Sequence, residues 1–290
     1  MIVDLLRRST FPPAGTPVIC GLSGGADSTA LVRLAVAADC DVTAVHVDHG
    51  LRPSSATDAD CARETAERLG IRFRSERVAL ADGPNLEARA RVARQVALGP
   101  DAMTGHTADD QAETLLLALM RGSGASGLSA MAPGPTKPIL ALRRAETVAV
   151  CESEGLRYVH DPTNSEPRFR RNRVRHEILP LLDEVAARDV AALLARTADL
   201  LRDDDTLLEQ LAADLDPTDA LALRDVPLPL ARRAVRRWLE RGGYPPDAAT
   251  VARVLEVAAG NARGCDVGAG RRVIRHEQRL VLVNNSDPVS

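Results

Sequence analysis

Lysine is almost missing from this chain of 290 residues: Lys137 stands alone, and the rest of the 37 basic residues are arginine. A Gly-Lys-Ser/Thr phosphate loop needs a lysine beside its glycines, and Lys137 sits in "GPTKPIL", far from any double glycine. If the chain binds nucleotide phosphates, it does so without a phosphate-loop lysine. Paired cysteines are also lacking. Cys20, Cys40, Cys61, Cys151 and Cys265 are odd in number and widely spaced with no CxxC, which argues against a disulfide framework, a zinc knuckle and an iron–sulfur cluster. A net charge of −3 excludes a generally basic nucleic-acid coat, so any polyanion must meet local patches. No apolar run reaches membrane-spanning length, and "MIVDLLRRSTFPP" lacks the basic start and apolar stretch of a signal peptide. The expectation is a cytosolic protein with no membrane partner.

What is present suits a globular protein. Apolar residues make up 45% of the chain, enough for a real core, and the length has room for about two domains. The first half alternates. "PVICGLS", "DVTAVHVD", "IRFRSERVAL" and the short "DAMTGH" read as strands. Ser28 to Ala38, Asp58 to Leu69, "NLEARARVARQVAL" and "TADDQAETLLLALM" read as helices. Such alternation predicts an α/β fold, a doubly wound, mostly parallel sheet whose strand C-termini carry the ligand. "RGSGASGLSAMAPGPTKP" is a loop long enough to be functional or mobile. From about Asp183 to Leu215 the pattern is helical, with leucine pairs at 193/194, 200/201 and 207/208. "LARRAVRRWLER" continues as an amphipathic helix, with Leu230, Ala234, Val235, Trp238 and Leu239 on one face and Arg232, Arg233, Arg236 and Arg237 on the other. "RRVIRHEQRLVLV" predicts a terminal hairpin. The expected domains are residues 1–182, α/β, and residues 183–290, smaller and mainly helical.

Four stretches carry chemistry. In "SGGADS", Ser23, Gly24 and Gly25 close the first strand where the next helix begins. Their N–H groups can converge on an anion there, aided by the helix dipole. Ser23 and Ser28 add hydroxyls. Asp27 would repel phosphate unless a cation lay between them, which suggests Mg²⁺ or a substrate amine; a plain glycine turn with Asp27 and Ser28 capping the helix is the bland alternative. In "HVDHGLR", His46, Asp48 and His49 are metal ligands by type, but a strand end lining a nucleotide pocket fits equally and no fourth ligand stands nearby. In "GHTADDQAET", His106, Asp110 and Glu113 are spaced four and three apart and share a side if the helix starts early. Acidic residues at a helix N-terminus contribute about 0.3–1 kcal/mol each; an acidic pocket for Mg²⁺ or a cationic substrate is the sharper reading. "RFRRNRVRHE" packs Arg168, Arg170, Arg171, Arg173 and Arg175 together, either a solvated loop or a grip on a phosphate backbone.

In this order the stretches resemble the ATP-pyrophosphatase family, whose signature loop is SGGxDS, and within it the tRNA(Ile)-lysidine synthetases. "SGGADS" alone marks only a superfamily that also contains GMP synthetases, NAD synthetases and tRNA thiolases. "HVDHGLR", "NLEARAR", "GHTADDQAETLLLALMRGSGASGLSAM", "DPTN" and "RNRVRHEILP" together are far more specific. The likeness covers roughly Val18 to Leu182, and the helical second domain is compatible with the family's linker domain.

The resemblance implies ATP over the strand tips, with Mg²⁺ neutralising its phosphates. The ring oxygen of the wobble cytidine in a CAU anticodon of tRNA(Ile) attacks the α-phosphorus and releases pyrophosphate. The side-chain amine of free L-lysine then attacks ring carbon 2 and expels AMP, and the resulting lysidine pairs with A instead of G. By position, Ser23, Gly24, Gly25, Asp27 and Ser28 match the pyrophosphate loop, with Asp27 a candidate Mg²⁺ ligand. His49 matches the adenosine-side loop, and Gly105, His106, Asp109, Asp110 and Glu113 the second catalytic segment. Glu87, Arg91 and Arg94 match the "NLEARAR" helix, Arg121 to Gly124 (Gly122 included) the mobile loop, and Arg171, Asn172 and Arg175 the basic segment. The implied catalytic set is Asp27, His106, Asp110 and Arg171. Asp110 is the first candidate for the lysine ammonium, with Glu113 beside it; a nearby carboxylate or His106 would take the amine's proton. Arg91, Asn172, Arg175, Arg232 and Arg236 fall to the substrates. The family often pairs, so a homodimer is expected.

Two departures stand out. "TKPIL" occupies a position where many relatives read "RPLL", and the chain stops at Ser290 without the extra C-terminal domain of long members, so how initiator tRNA with the same anticodon is told apart is not given by the motifs. One tryptophan, two tyrosines and three phenylalanines also make a thin stacking platform for flipped bases; the "RRAVRR" helix is a substitute that would grip backbone. The rivals are a tRNA thiolase, which would need a cysteine pair or a persulfide-carrying cysteine near the ATP site, and a non-catalytic nucleotide- or RNA-binding relative, which would have lost Asp27, Asp110 or the double glycine.

Overall fold

The computed structural model describes residues 1–48, 55–78, 86–159, 166–240 and 246–284. Two compact units emerge, Met1–Leu201 and Arg202–Ser290.

The first unit opens with a short helix that the sequence reading did not anticipate, α1 (Ile2–Arg7). β1 (Pro17–Gly21), α2 (Ala26–Ala37), β2 (Asp41–Asp48), α3 (Ser55–Arg68), β3 (Arg72–Arg77) and α4 (Leu86–Leu98) follow. β1 pairs in parallel with β2, and β2 with β3, so β2 is central. Alternation along β2 decides the layers, because successive side chains point to opposite faces. Val42 and Ala44 join Leu31, Leu34 and Ala62 in the main core. Val45 and Val47 pack instead with Leu98 and Ala102. Helices therefore cover both faces of a parallel sheet, as the sequence predicts. The expected strand in "DAMTGH" is reduced to a single parallel bridge of Met103 with Cys20, fixed by Gly21 N–H to the Met103 carbonyl and Met103 N–H to the Ile19 carbonyl. This short contact still delivers Gly105 and His106 beside the tip of β1.

α5 (Ala108–Met120) follows at once, then α6 (Ala125–Leu128) inside the segment read as pure loop, and α7 (Arg144–Ser153). Gln111, almost fully buried, ties that segment down. Its side chain donates to the Met131 carbonyl and accepts from the Met131 N–H, both at 2.8 Å. α8 (Arg170–Arg173) runs through a π-helical stretch, Val174–Ile178, into α9 (Leu179–Ala186). Val174 and Leu179 pack on Ala112 and Leu116 of α5. The helical run expected from Asp183 is broken at Ala187, which takes a left-handed φ of 50°. α10 (Val190–Ala213) then crosses from the first unit into the second.

The second unit adds α11 (Ala220–Asp225), α12 (Leu228–Glu240), α13 (Ala248–Ala259), β4 (Gly264–Gly268), β5 (Arg271–His276) and β6 (Arg279–Asn284). The expected hairpin is β5–β6, and β4 extends it to three antiparallel strands. Ala234, Val235, Leu239, Val254, Val257, Val273 and Leu280 form its core. Among the described residues, no helix is long and apolar enough to cross a membrane.

Candidate active site

The glycine loop lies between β1 and α2, as its sequence predicts. Gly24 adopts φ +89°, a conformation that favours glycine, and a Cβ there would sit 3.3 Å from the Asp58 carbonyl oxygen. Gly25 caps α2 and has no side chain to accept from the first-turn N–H groups, which leaves a helix N-terminus suited to an anion. Ser28 Oγ ties the loop together: it donates to the Gly25 carbonyl at 2.9 Å, accepts the Ser23 N–H at 3.1 Å and lies 3.1 Å from Ser23 Oγ. His46 is buried, with Nδ1 2.9 Å from the Leu22 carbonyl, so it braces the two strand tips. His49 lies outside the described residues, as do the side chains of Glu87 and Arg91.

Gly105 is wanted for space. A Cβ at this position would fall 2.7 Å from the Asp27 carbonyl oxygen and 2.9 Å from Ser28 N, closer than real atoms come. Backbone thus meets backbone, and the start of α5 is set directly against the start of α2.

Three carboxylates and three guanidiniums meet there. Asp110 is buried and does double duty. One oxygen accepts from the Thr107 N–H at 2.9 Å and its hydroxyl at 3.0 Å, closing a capping box on α5. The other accepts from Arg144 and Arg171, each at 3.1 Å. Glu113, one turn on and wholly buried, takes Arg171 Nε at 2.6 Å, Arg175 Nε at 2.7 Å and Arg144 Nη1 at 3.3 Å. Asp27 accepts Arg144 Nε at 3.1 Å and the Thr147 hydroxyl in a short bond. Arg144 therefore touches all three carboxylates. Its neighbour Arg143 forks onto Asp109 at 2.9 and 3.0 Å and pairs with Asp189, while the Arg144 N–H donates to Asp109 at 2.7 Å.

The electrostatics follow from these partners. Burial opposes the charge of Asp110, yet Arg144 and Arg171, with the Thr107 N–H and His106, hold it below the usual carboxylate value. Asp109 is lowered in the same way, burial being overcome by the Arg143 fork and the Arg144 N–H. Asp27 goes the other way: burial outweighs Arg144 and Thr147, and its carboxyl is raised. Burial likewise disfavours charge on Arg144, but Asp110, Asp27 and Glu113 more than compensate and raise it.

Most of the remaining sites read from the sequence are placed. His106 precedes α5 instead of joining its face, because the helix starts only at Ala108 with Thr107 as cap. Its Nδ1 lies 2.8 Å from Thr104 Oγ1. The arginine run divides: Arg171 and Arg175 turn inward, whereas Arg168 pairs with Glu166 and Arg173 with Glu177 at the surface. Asn172 is buried and donates to the Glu166 carbonyl at 3.0 Å. Arg121 and Gly122 are exposed at the end of α5, Gly122 with φ +72°. The second unit needs a correction. The four arginines of α12 do not share one solvated face: Arg233 binds Asp205 and Glu209, and Arg237 donates to the Ala212 carbonyl at 2.7 Å. Only Arg232 and Arg236 are left exposed. A helix turns its inner arginines onto an acidic neighbour's C-terminal end because charge and dipole both favour it.

Sequence reasoning missed Arg144 and Thr147. The available signal was "LRRAET": two arginines just where a helix begins, the end that repels cations, followed by a carboxylate at the N3 position.

A PP-loop domain model matches residues 6–182, and a TilS substrate binding domain model matches residues 219–281. A tRNA(Ile)-lysidine synthase of Nocardia farcinica is 45% identical over 249 residues, covering 80% of this chain and 78% of its own. One from Mycobacterium tuberculosis strain H37Rv is 41% identical over 298 positions, covering 93% and 91%. The chain belongs to the tRNA(Ile)-lysidine synthase family. It is an ATP-dependent ligase of tRNA modification, and the non-catalytic alternative is set aside.

Among solved structures, a U34-tRNA thiolase from Methanococcus maripaludis holding a [4Fe-4S] cluster matches with a TM-score of 0.56, 18% identity and coverage of 69% of this chain and 78% of its own. That likeness is one of fold. In this lysidine synthase, burial pushes the Cys20 and Cys151 thiols up to about 12, far from the thiolate that sulfur transfer uses.

The residues fit ATP as co-substrate, with a glycine loop at a helix N-terminus and guanidiniums beside it. They offer less to a metal. Among the described residues no group of three or more His, Cys, Asp or Glu is placed to hold one, and both oxygens of Asp27 are already engaged.

Proposed function

We propose that this enzyme joins free L-lysine to carbon 2 of the wobble cytidine in the CAU anticodon of tRNA(Ile), in the cytoplasm, through an adenylated tRNA. The observation that carries the reading is the meeting of the glycine loop with Asp27, Asp110, Glu113 and the three arginines at one point. In the first step the cytidine oxygen bonds to the α-phosphorus of ATP, and the bond to the departing pyrophosphate breaks. The N–H groups of Gly24 and Gly25, with the hydroxyls of Ser23 and Ser28, receive that leaving group, and arginine stabilises the charge it carries. Mg²⁺ is proposed to arrive with the phosphates, as that ion commonly does, and Asp27 would hold it only by exchanging its bond to Arg144 for one to the ion. In the second step the lysine amine bonds to carbon 2, AMP leaves with the oxygen, and the proton goes to a carboxylate or to His106.

Asp110 and Glu113 are the proposed receptor for the lysine ammonium, and His49, Gly105, Arg121 and Gly122 the proposed nucleotide surround. Arg91, Asn172, Arg175, Arg232 and Arg236 are assigned to the two substrates, lysine and tRNA, and the exposed Arg232 and Arg236 suit a tRNA backbone. Residues 1–182 would do the chemistry and 183–290 would hold tRNA. A homodimer is the proposed assembly, on the family likeness alone.

The test is incorporation of radiolabelled lysine into bulk tRNA, with and without ATP, followed by nuclease mapping. ATP-dependent label at the wobble cytidine of a CAU anticodon is the expected result. Pyrophosphate release that depends on tRNA but leaves no label would keep the adenylating half and overturn the lysine assignment.

A further inference from the structure

Arg144 holds a position that no glycine loop of this sequence supplies for itself. The loop has no lysine, yet a guanidinium from the start of α7 reaches Asp27 at its rim, 3.1 Å away. The same guanidinium spans Asp110 and Glu113, the pair to which the substrate ammonium is assigned. Three carboxylates and three guanidiniums cancel, so in this arrangement the site has no unmet charge for either substrate. ATP needs a cation at the loop; lysine needs a carboxylate left uncompensated.

We infer that Arg144 is the moving charge of the reaction: it fills the ammonium seat in the resting enzyme and passes to the phosphates when ATP binds. This deepens the proposed function and rests on it. With Arg144 withdrawn, Asp110 Oδ1 and Glu113 Oε1 each lose one of the guanidinium donors that hold them, and an ammonium can take its place. Arg144 is singled out because Arg171 and Arg175 bond to Asp110 and Glu113, while Arg144 alone among them bonds to both that pair and Asp27. The backbone need not move. The Arg144 N–H is fixed to Asp109, and the Arg143 fork pins the start of α7. Thr147 keeps Asp27 partnered after the guanidinium leaves. The side chain is about a quarter exposed, so a path to solvent-borne phosphate is open. Lysine is thereby kept from binding productively before the nucleotide, which protects the order of the two steps.

The experiment measures binding of labelled L-lysine by equilibrium dialysis on the full chain, with and without α,β-methylene-ATP, alongside tRNA-dependent pyrophosphate release. Wild type should bind lysine at least about tenfold tighter with the analogue than without it. Arg144→Gln should bind lysine without nucleotide about as tightly as wild type does with it, and should lose about a hundredfold or more in pyrophosphate release, the scale for removing one stabilising donor. Arg144→Lys, which keeps the charge, should recover part of that release. Nucleotide-independent lysine binding by wild type would overturn the inference, as would an Arg144→Gln variant that loses lysine binding and pyrophosphate release together. If Arg144→Gln fails to fold, the wild-type comparison and Arg144→Lys still decide. A wild-type enzyme that binds the analogue but never labels tRNA with lysine would instead sink the proposed function, and this inference with it.

Discussion

Arg144 Nε lies 3.1 Å from Asp27 Oδ2, although the two residues stand 117 positions apart. Each is in the first turn of its helix, so the N-termini of α2 and α7 face each other across an ion pair. A cation at that end of a helix is disfavoured by about 0.3–1 kcal/mol; here three carboxylates more than offset it. The pair links the phosphate loop to the seat assigned to lysine.

Asp27→Ala should abolish pyrophosphate release while barely moving the melting temperature. The carboxyl is raised by its own burial, so removing it relieves a desolvation cost, and Arg144 keeps Asp110 and Glu113. Near-normal turnover would show the assigned role to be wrong.

Asp110→Ala and Glu113→Gln should each cost stability as well as activity. Asp110 closes the capping box of α5, and losing such a cap costs about 1 kcal/mol. Both variants strip buried carboxylates from partly exposed arginines, so each should cost less than the roughly 3–5 kcal/mol of breaking a fully buried pair. Urea unfolding should show a lower midpoint for both, with Asp110→Asn milder than Asp110→Ala because it keeps an acceptor. An unchanged midpoint for Glu113→Gln would contradict the buried network.

Acid stability should carry opposing contributions from neighbouring aspartates. Asp109 and Asp110 are lowered from the usual 3.8, so their stabilisation is present above that value and fades as pH falls through their folded values below it. Asp27 is raised from the same 3.8, so its contribution is complete below 3.8 and is lost as pH climbs through its folded value. Melting curves across pH 2–7 should therefore lose part of the steep acid limb in Asp110→Asn, whereas Asp27→Asn should make stability rise more steeply just above 3.8, because it removes a contribution that falls there. Identical profiles for both variants would refute the assignment.

The arginines of α12 should separate by function. Arg233→Ala and Arg237→Ala remove contacts to Asp205, Glu209 and the Ala212 carbonyl, so they should lower thermal stability. Arg232→Ala and Arg236→Ala alter exposed residues and should leave the melt unchanged. They should weaken tRNA binding and reduce its salt dependence by about one unit of slope each. Filter binding at several salt concentrations, beside calorimetry, makes the comparison.

Local pattern made much of the fold legible. Strand alternation announced β1, β2 and the layers above and below them, and "SGGADS" and "GHTADDQAET" announced a ligand site at the strand tips. What stayed hidden was pairing at long range. "LRRAET" gave no apolar period strong enough to mark α7, so Arg144 went unread. Whether Arg171 or Arg173 would face Glu113 depended on how the helical run from α8 into α9 docks on α5, and whether Arg233 or Arg232 would meet solvent depended on where the acidic face of α10 lies. "DAMTGH" kept its place beside β1 but not its strand, because one bridge was enough to seat it.

Gly105 bears on what can move. Its bare Cα lies so close to the Asp27 carbonyl that a methyl group would overlap it. No rotamer can relax there and no water can wedge in. The loop and the beginning of α5 behave as one stiff jaw, and with it the frame that carries Asp27, Asp110 and Glu113. Adjustment to incoming molecules then falls to the long side chain of Arg144 opposite, so the enzyme keeps its anions still and lets one cation swing.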